Sequence, residues 1–129
     1  MYKWGENMID FENKKYLKMK EDDNYAKLVE ELIVDGEEVL GAYKSVRDGI
    51  VFTSFRLIII NVQGLTGKKK DFTSIPYKRI NAYSVETAGV FDMEAELIIY
   101  VSSIGQLLFE FKGRSNVKAI SRHISQALK

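Results

Sequence analysis

From Glu38 to Lys112 the chain alternates apolar and polar residues in short runs, and each run stops at a turn residue. Period-two alternation marks strands with one buried face, and no helical run interrupts the series. Parallel sheets need crossover helices between strands, so this segment is expected to fold as an antiparallel barrel or sandwich. Val39, Gly41, Tyr43 and Ser45 oppose Leu40, Ala42, Lys44 and Val46, and Asp48-Gly49 supplies a hairpin turn. GIVFTS follows, then FRLIIINV, whose apolar residues occupy both faces and place it in a covered part of the sheet. Residues 64 to 69 turn the chain again, and KDFTSIP ends at Pro76, which cannot donate to a ladder. RINAYSVET, ELIIYVSS and QLLFEFK complete seven strands, with the looser AGVFDMEA between the first two of these and Ile104-Gly105 between the last two. In QLLFEFK, Leu107, Phe109 and Phe111 share one face while Leu108, Glu110 and Lys112 share the other.

The period changes at the C-terminus. Val117, Ile120, Ile124 and Leu128 are spaced three, four and four apart, behind Ser115 or Asn116 as a cap. This predicts an amphipathic helix whose single apolar stripe is buried on the barrel. Upstream of the strands, Leu28, Val29, Leu32 and Ile33 predict a short helix with Gly36 at its C-cap. Residues 1–24 read as an N-terminal arm carrying Trp4, Met8, Phe11 and Tyr16, too polar to form a core alone, ahead of a domain over 25–129.

A chain of 129 residues is one domain by length. It has no cysteine, which removes disulfides and thiolate chemistry and leans toward a reducing compartment. No apolar run approaches the ~20 residues of a membrane span, and the first residues lack the basic and small-residue pattern of an export signal. A cytoplasmic protein is the expectation. Net charge is +1, and residues 1–35 hold six Lys against nine Asp and Glu, leaving +4 for the remainder. That surplus is too mild for a nucleic-acid partner.

The stretch AYKSVRDGIVFTSFRLIIINVQGLTGKKKDFTSIPYKRINAYSVETAGVFDMEAELIIYV resembles the bacterial pleckstrin homology (PH) domain family, through its RDGIVFT, QGLTGKK, SIPY and SVETAGVFDMEAEL runs. The resemblance covers about residues 28 to 128. It implies a mainly β, PH-like barrel of seven antiparallel strands in two orthogonal sheets, capped by a C-terminal helix. It also implies closed homo-oligomeric rings. Fold alone does not give function.

Several sites can be weighed by their chemistry. The loop GLTGKKK is no phosphate-binding loop, because Gly64 and Gly67 stand too close, Lys69 follows Lys68 where Ser or Thr should stand, and a strand rather than a helix comes next. A hairpin with a basic tip fits it better. Lys68, Lys69 and Lys70, with Lys78 and Arg79, then form a candidate surface for an anionic membrane or another acidic partner. Eukaryotic PH domains that bind phosphoinositides carry a basic pattern around a long first hairpin loop. Lys44, Arg47 and Arg56 imitate its charges, but the loop here is too short to wall a headgroup and Asp48 opposes the phosphate. Arg47 and Arg56 are better suited to charge pairing or a contact between subunits.

Catalysis finds no constellation: His123 is the single histidine, offset from the apolar stripe of its helix, and there is no cysteine to pair with it. Asp92, Glu94 and Glu96 alternate on one side of FDMEAE without the glycine and polar ligands of a calcium loop. No catalytic site, metal or cofactor is therefore expected. Assembly fits the residues better. Arg47, Arg56, Tyr77, Phe91, Asp92, Glu94 and Glu96 combine aromatics with opposite charges, as an oligomer interface requires, and Tyr83, Tyr100 and Phe109 divide between core and surface. The reading is a self-assembling, non-enzymatic scaffold, with a peripheral membrane adaptor as the alternative.

Overall fold

A computed structural model of the chain describes residues 15–87, 94–112 and 117–129. Its strands are β1 (Lys15–Glu21), β2 (Val39–Lys44), β3 (Gly49–Thr53), β4 (Arg56–Gln63), β5 (Lys69–Pro76), β6 (Ala82–Thr87), β7 (Glu94–Val101) and β8 (Gly105–Lys112). Helix α1 (Asp23–Leu28) lies between β1 and β2, a 3-10 turn (Tyr77–Arg79) joins β5 to β6, and helix α2 (Val117–Leu128) follows β8. The seven expected strands are β2 to β8. The fold is mainly β and PH-like, with a C-terminal helix.

The expected separation into two orthogonal sheets is corrected by β1. This strand runs antiparallel to β2 and parallel to β8, joining everything into one eight-stranded sheet in the order β5-β4-β3-β2-β1-β8-β7-β6. Among the described residues one junction is therefore parallel, and the strands number eight. The strand is hard to read because Tyr16 and Met19, three residues apart, both face the core, whereas a regular strand would point them to opposite sides. A register shift between them restores the direction, and Lys18 takes a left-handed φ of 56° there. Tyr16 then stacks on Phe109, with ring centroids 5.2 Å apart. Trp4, Met8 and Phe11 lie outside the described residues.

Helix α1 is shorter than the spacing of Leu28 to Ile33 suggests. Asp22 caps its start by accepting the Asn24 N–H at 3.0 Å, and Val29 ends it. Beyond that point, Arg56 takes the Leu32 carbonyl at 2.8 Å and Glu37 takes the Val34 N–H at 3.1 Å. Those backbone groups are the ones a longer helix would have used. Gly36 does adopt positive φ, in a turn rather than at a helix end.

Two cores result, one on each side of β4. Leu57 and Ile59 join the barrel interior with Phe52, Leu97, Phe109, Phe111, Ile120 and Ile124, while Ile58 and Ile60 pack outward with Ala42, Val51 and Val29. Tyr25, Ala26 and Leu28 of α1 cover that outer cluster, which explains the two-sided apolar run. Ile120 and Ile124 fix α2, each contributing ~2 kcal/mol by burial. Leu128, the last member of the stripe, is exposed.

Candidate functional site

The antiparallel register of β6, β7 and β8 sets Glu86 opposite Glu96 and Glu96 opposite Glu110. Directly opposed residues share one side of a pleated sheet, so three carboxylates form a row across three strands. Their neighbours Leu97, Phe109 and Phe111 face the core, which leaves the row on the outer face. Glu94 stands next to it, opposite Lys112, whose Nζ lies 2.5 Å from its carboxylate. The hydrogen bond to Glu94 holds that ammonium above its ordinary pKa. Glu86, Thr87, Glu94, Ala95, Glu96 and Glu110 line a cleft of about 290 Å³. Among the described residues no group of three or more His, Cys, Asp or Glu is placed to hold a metal ion, so the row is a charged surface.

The basic residues do not form one patch. Lys68 to Lys70 sit at the β4–β5 hairpin, whereas Lys78 and Arg79 sit on the 3-10 turn beyond the far end of β5. Six strand residues, Asp71 to Pro76, separate the groups by about 20 Å. All five are exposed. Around Lys78, a cleft of about 300 Å³ is lined by Ser54, Phe55, Pro76, Tyr77 and Ala127. Phe55 is half exposed there, at 50%.

Other expected interface residues are engaged within the chain. Tyr77 is buried and donates its hydroxyl to the Thr53 carbonyl at 2.5 Å, and burial pushes its phenol well above the usual range. Arg56 pairs with buried Glu37. Arg47 donates from Nη2 to the Gly64 carbonyl, tying two hairpin turns together. Phe91 and Asp92 lie outside the described residues. Tyr83 is half buried and shares a hydrogen bond with Ser125, Phe109 is in the core, and Tyr100 is exposed. His123 is exposed on α2.

The sequence reading did not single out Glu37, Phe55 or Glu110 as site residues. Glu86 and Glu110 acquire their meaning only through strand register. Phe55 was legible as an aromatic at a turn, a position where the fold does not require one.

One eight-stranded sheet followed by a C-terminal helix is the architecture of a PH-like domain. The bacterial PH domain description matches residues 8–128, and the chain belongs to that family. It is 56% identical over 71 residues to the uncharacterized protein YjqA of Bacillus subtilis, a match covering 55% of this chain and 57% of YjqA. The chain thus spans less than two thirds of that relative. The uncharacterized protein YozO of the same organism is 36% identical over 78 residues, covering 60% of this chain and 68% of YozO. A crystal structure of a DUF1696 family protein with a pleckstrin-homology domain, from Shewanella loihica, superposes with a TM-score of 0.71 at 39% identity, covering 88% of this chain and 99% of the other. A PH domain from Shewanella amazonensis does so with a TM-score of 0.57 at 46% identity, covering 82% and 89%.

Proposed function

We propose that the chain is a non-enzymatic, cytoplasmic binding and scaffolding module that associates with copies of itself into a closed ring. The observation that carries this reading is the row Glu86, Glu96 and Glu110. Like charges set directly opposite in a sheet repel one another, and a cationic partner relieves that cost. The same chain presents a second surface elsewhere: Phe55 is half exposed and lines a cleft with Lys78 and Ala127, and Arg79 follows Lys78 on the adjoining turn. An aromatic centre with a charged rim is the usual composition of an interface.

The acidic face and the Phe55 patch are different surfaces, so their contact is heterologous. Repeated head to tail, such a contact closes into a ring when the rotation permits. Light scattering after size exclusion tests the reading. A particle of several subunits that dissociates as salt is raised supports it. A 14.8 kDa species at every concentration and salt contradicts it.

A further inference from the structure

We propose that the free edge of β5 is a docking strip for an extended, acidic segment of a partner protein, which adds to the sheet as a further strand. In the order β5-β4-β3-β2-β1-β8-β7-β6 the two end strands are β5 and β6, consecutive in the chain yet not paired with each other. An end strand carries backbone N–H and C=O groups on its outer side that no neighbouring strand takes up. Folded proteins commonly blunt such an edge by keeping it short, by bulging it or by covering it. β6 is the shorter of the two, at six residues, and α2 lies against it through the hydrogen bond of Tyr83 with Ser125. Among the described residues β5 has none of these protections: its eight residues, Lys69 to Pro76, pair with β4 in continuous register from Gln63 to Arg56.

What β5 has instead is positive charge at both ends. Lys68, Lys69 and Lys70 stand at its start, Lys78 and Arg79 just past its finish, and all five are exposed. Lysines on an edge repel a second basic strand and admit an acidic one. Among the described residues the ion pairs are Arg56 with Glu37 and Lys112 with Glu94, so no carboxylate there neutralises these five cations. The single acid between the two groups, Asp71, is half buried and accepts the Thr73 hydroxyl at 2.7 Å. Lys70 donates to the Gly67 carbonyl at 3.2 Å, an exposed bond that leaves two of its three ammonium hydrogens for a ligand. The six residues from Asp71 to Pro76 set the cationic groups about 20 Å apart, so the occupant carries acidic residues at both ends of a stretch of about six. Phe72 and Thr73, both half buried, occupy the middle of the strip and suit β-branched residues across from them. Backbone pairing supplies affinity, and the charges at either end fix the register. Lys78 and Arg79 also belong to the proposed self-contact, so a docked segment and a neighbouring copy exclude one another at that end. The strip itself does not depend on that contact.

Fluorescence anisotropy of the labelled peptide Glu-Glu-Val-Thr-Val-Thr-Val-Thr-Glu-Glu, titrated with the full chain, tests this. Saturable binding is expected, weaker at high salt. N-methylating the central Val and Thr residues keeps the charge and removes the backbone donors, and should weaken binding more than tenfold. Replacing Lys68, Lys69 and Lys70 together by Ala should weaken it about tenfold, and Lys78→Ala with Arg79→Ala about fivefold. Arg122→Ala with Lys129→Ala removes exposed cations away from β5 and should leave it unchanged. Glu86→Lys with Glu96→Lys disrupts the self-contact and should retain peptide binding, which separates failure of that contact from failure of the strip. In hydrogen exchange, the β5 amides that face away from β4 should gain protection when the peptide is bound. Absence of saturable binding overturns the proposal, as does equal binding of the N-methylated peptide, equal weakening by the Arg122 and Lys129 changes, or protection that spares β5. Thermal melts verify that each variant is folded, which the exposure of all these positions favours.

Discussion

Arg56 closes on Glu37 as a fork, Nε to Oε2 and Nη2 to Oε1, each at 2.9 Å. The Glu37 carboxylate is fully enclosed, while Arg56 keeps a quarter of its side chain in solvent. Thr53 adds a hydroxyl donor to the same carboxylate at 2.5 Å, and its carbonyl accepts the hydroxyl of Tyr77. One ion pair therefore ties the turn after α1, the β3–β4 hairpin and the end of β5. It also lies beneath the Phe55 patch, since the Phe55 N–H donates to the Thr53 hydroxyl.

The Arg56 hydrogen bonds hold the Glu37 carboxyl at about 2, against an ordinary 4.5. A depressed folded-state pKa means stability that is present above pH 4.5 and is lost as pH falls toward 2. Urea unfolding across this window should show the loss in the native chain and a much flatter profile in Glu37→Gln. At neutral pH the substitution should cost about 3 kcal/mol, because it leaves Arg56 without its partner.

Tyr77→Phe removes the hydroxyl bonded to the Thr53 carbonyl and keeps the ring in the core. The expected cost is about 1 kcal/mol in urea unfolding. Absorbance titration should find this phenol ionising well above the ordinary tyrosine range, as burial requires.

Lys18 holds a left-handed φ in the middle of β1, a conformation glycine adopts freely. Lys18→Gly should therefore raise stability by about 0.5–1 kcal/mol, unlike glycine elsewhere in a strand. Met19→Ala, one residue on, should lower it by about 3 kcal/mol by opening a cavity beneath the strand that joins β2 to β8.

Gly49 lies under the ring of Tyr25, and a Cβ there would stand 2.2 Å from Cδ2 of that ring and 2.7 Å from the Tyr43 carbonyl oxygen. Gly49→Ala should displace α1 from the β2–β3 hairpin and cost about 2–3 kcal/mol. Gly36→Ala meets no neighbouring atom, so its cost should be limited to the positive φ, about 1 kcal/mol.

Strands β2 to β8 were legible because their alternation is regular and their turns are marked by Asp48-Gly49, Gly64, Pro76 and Gly105. β1 was not, because its bulge puts Tyr16 and Met19 out of phase and its lysines read as solvated arm. The end of α1 was hidden for a different reason. It is set by Arg56 and Glu37, which are distant in sequence from one another. The alternation of Glu94 and Glu96 was visible locally, but the acidic row needs Glu86 and Glu110 brought beside them by register. Likewise, the basic segment looked continuous from Lys68 to Arg79 until β5 stretched it end to end.

The central claim is a heterologous contact between the acidic row and the Phe55 patch, and charge reversal with mixing tests it most directly. One variant carries Glu86→Lys and Glu96→Lys, the other Lys78→Glu and Arg79→Glu. Each alone opposes like charges at every contact and should remain dissociated in light scattering, while an equimolar mixture restores opposite charges at every junction of an alternating arrangement and should assemble. Variants that assemble alone, or a mixture that stays at 14.8 kDa, would contradict the account.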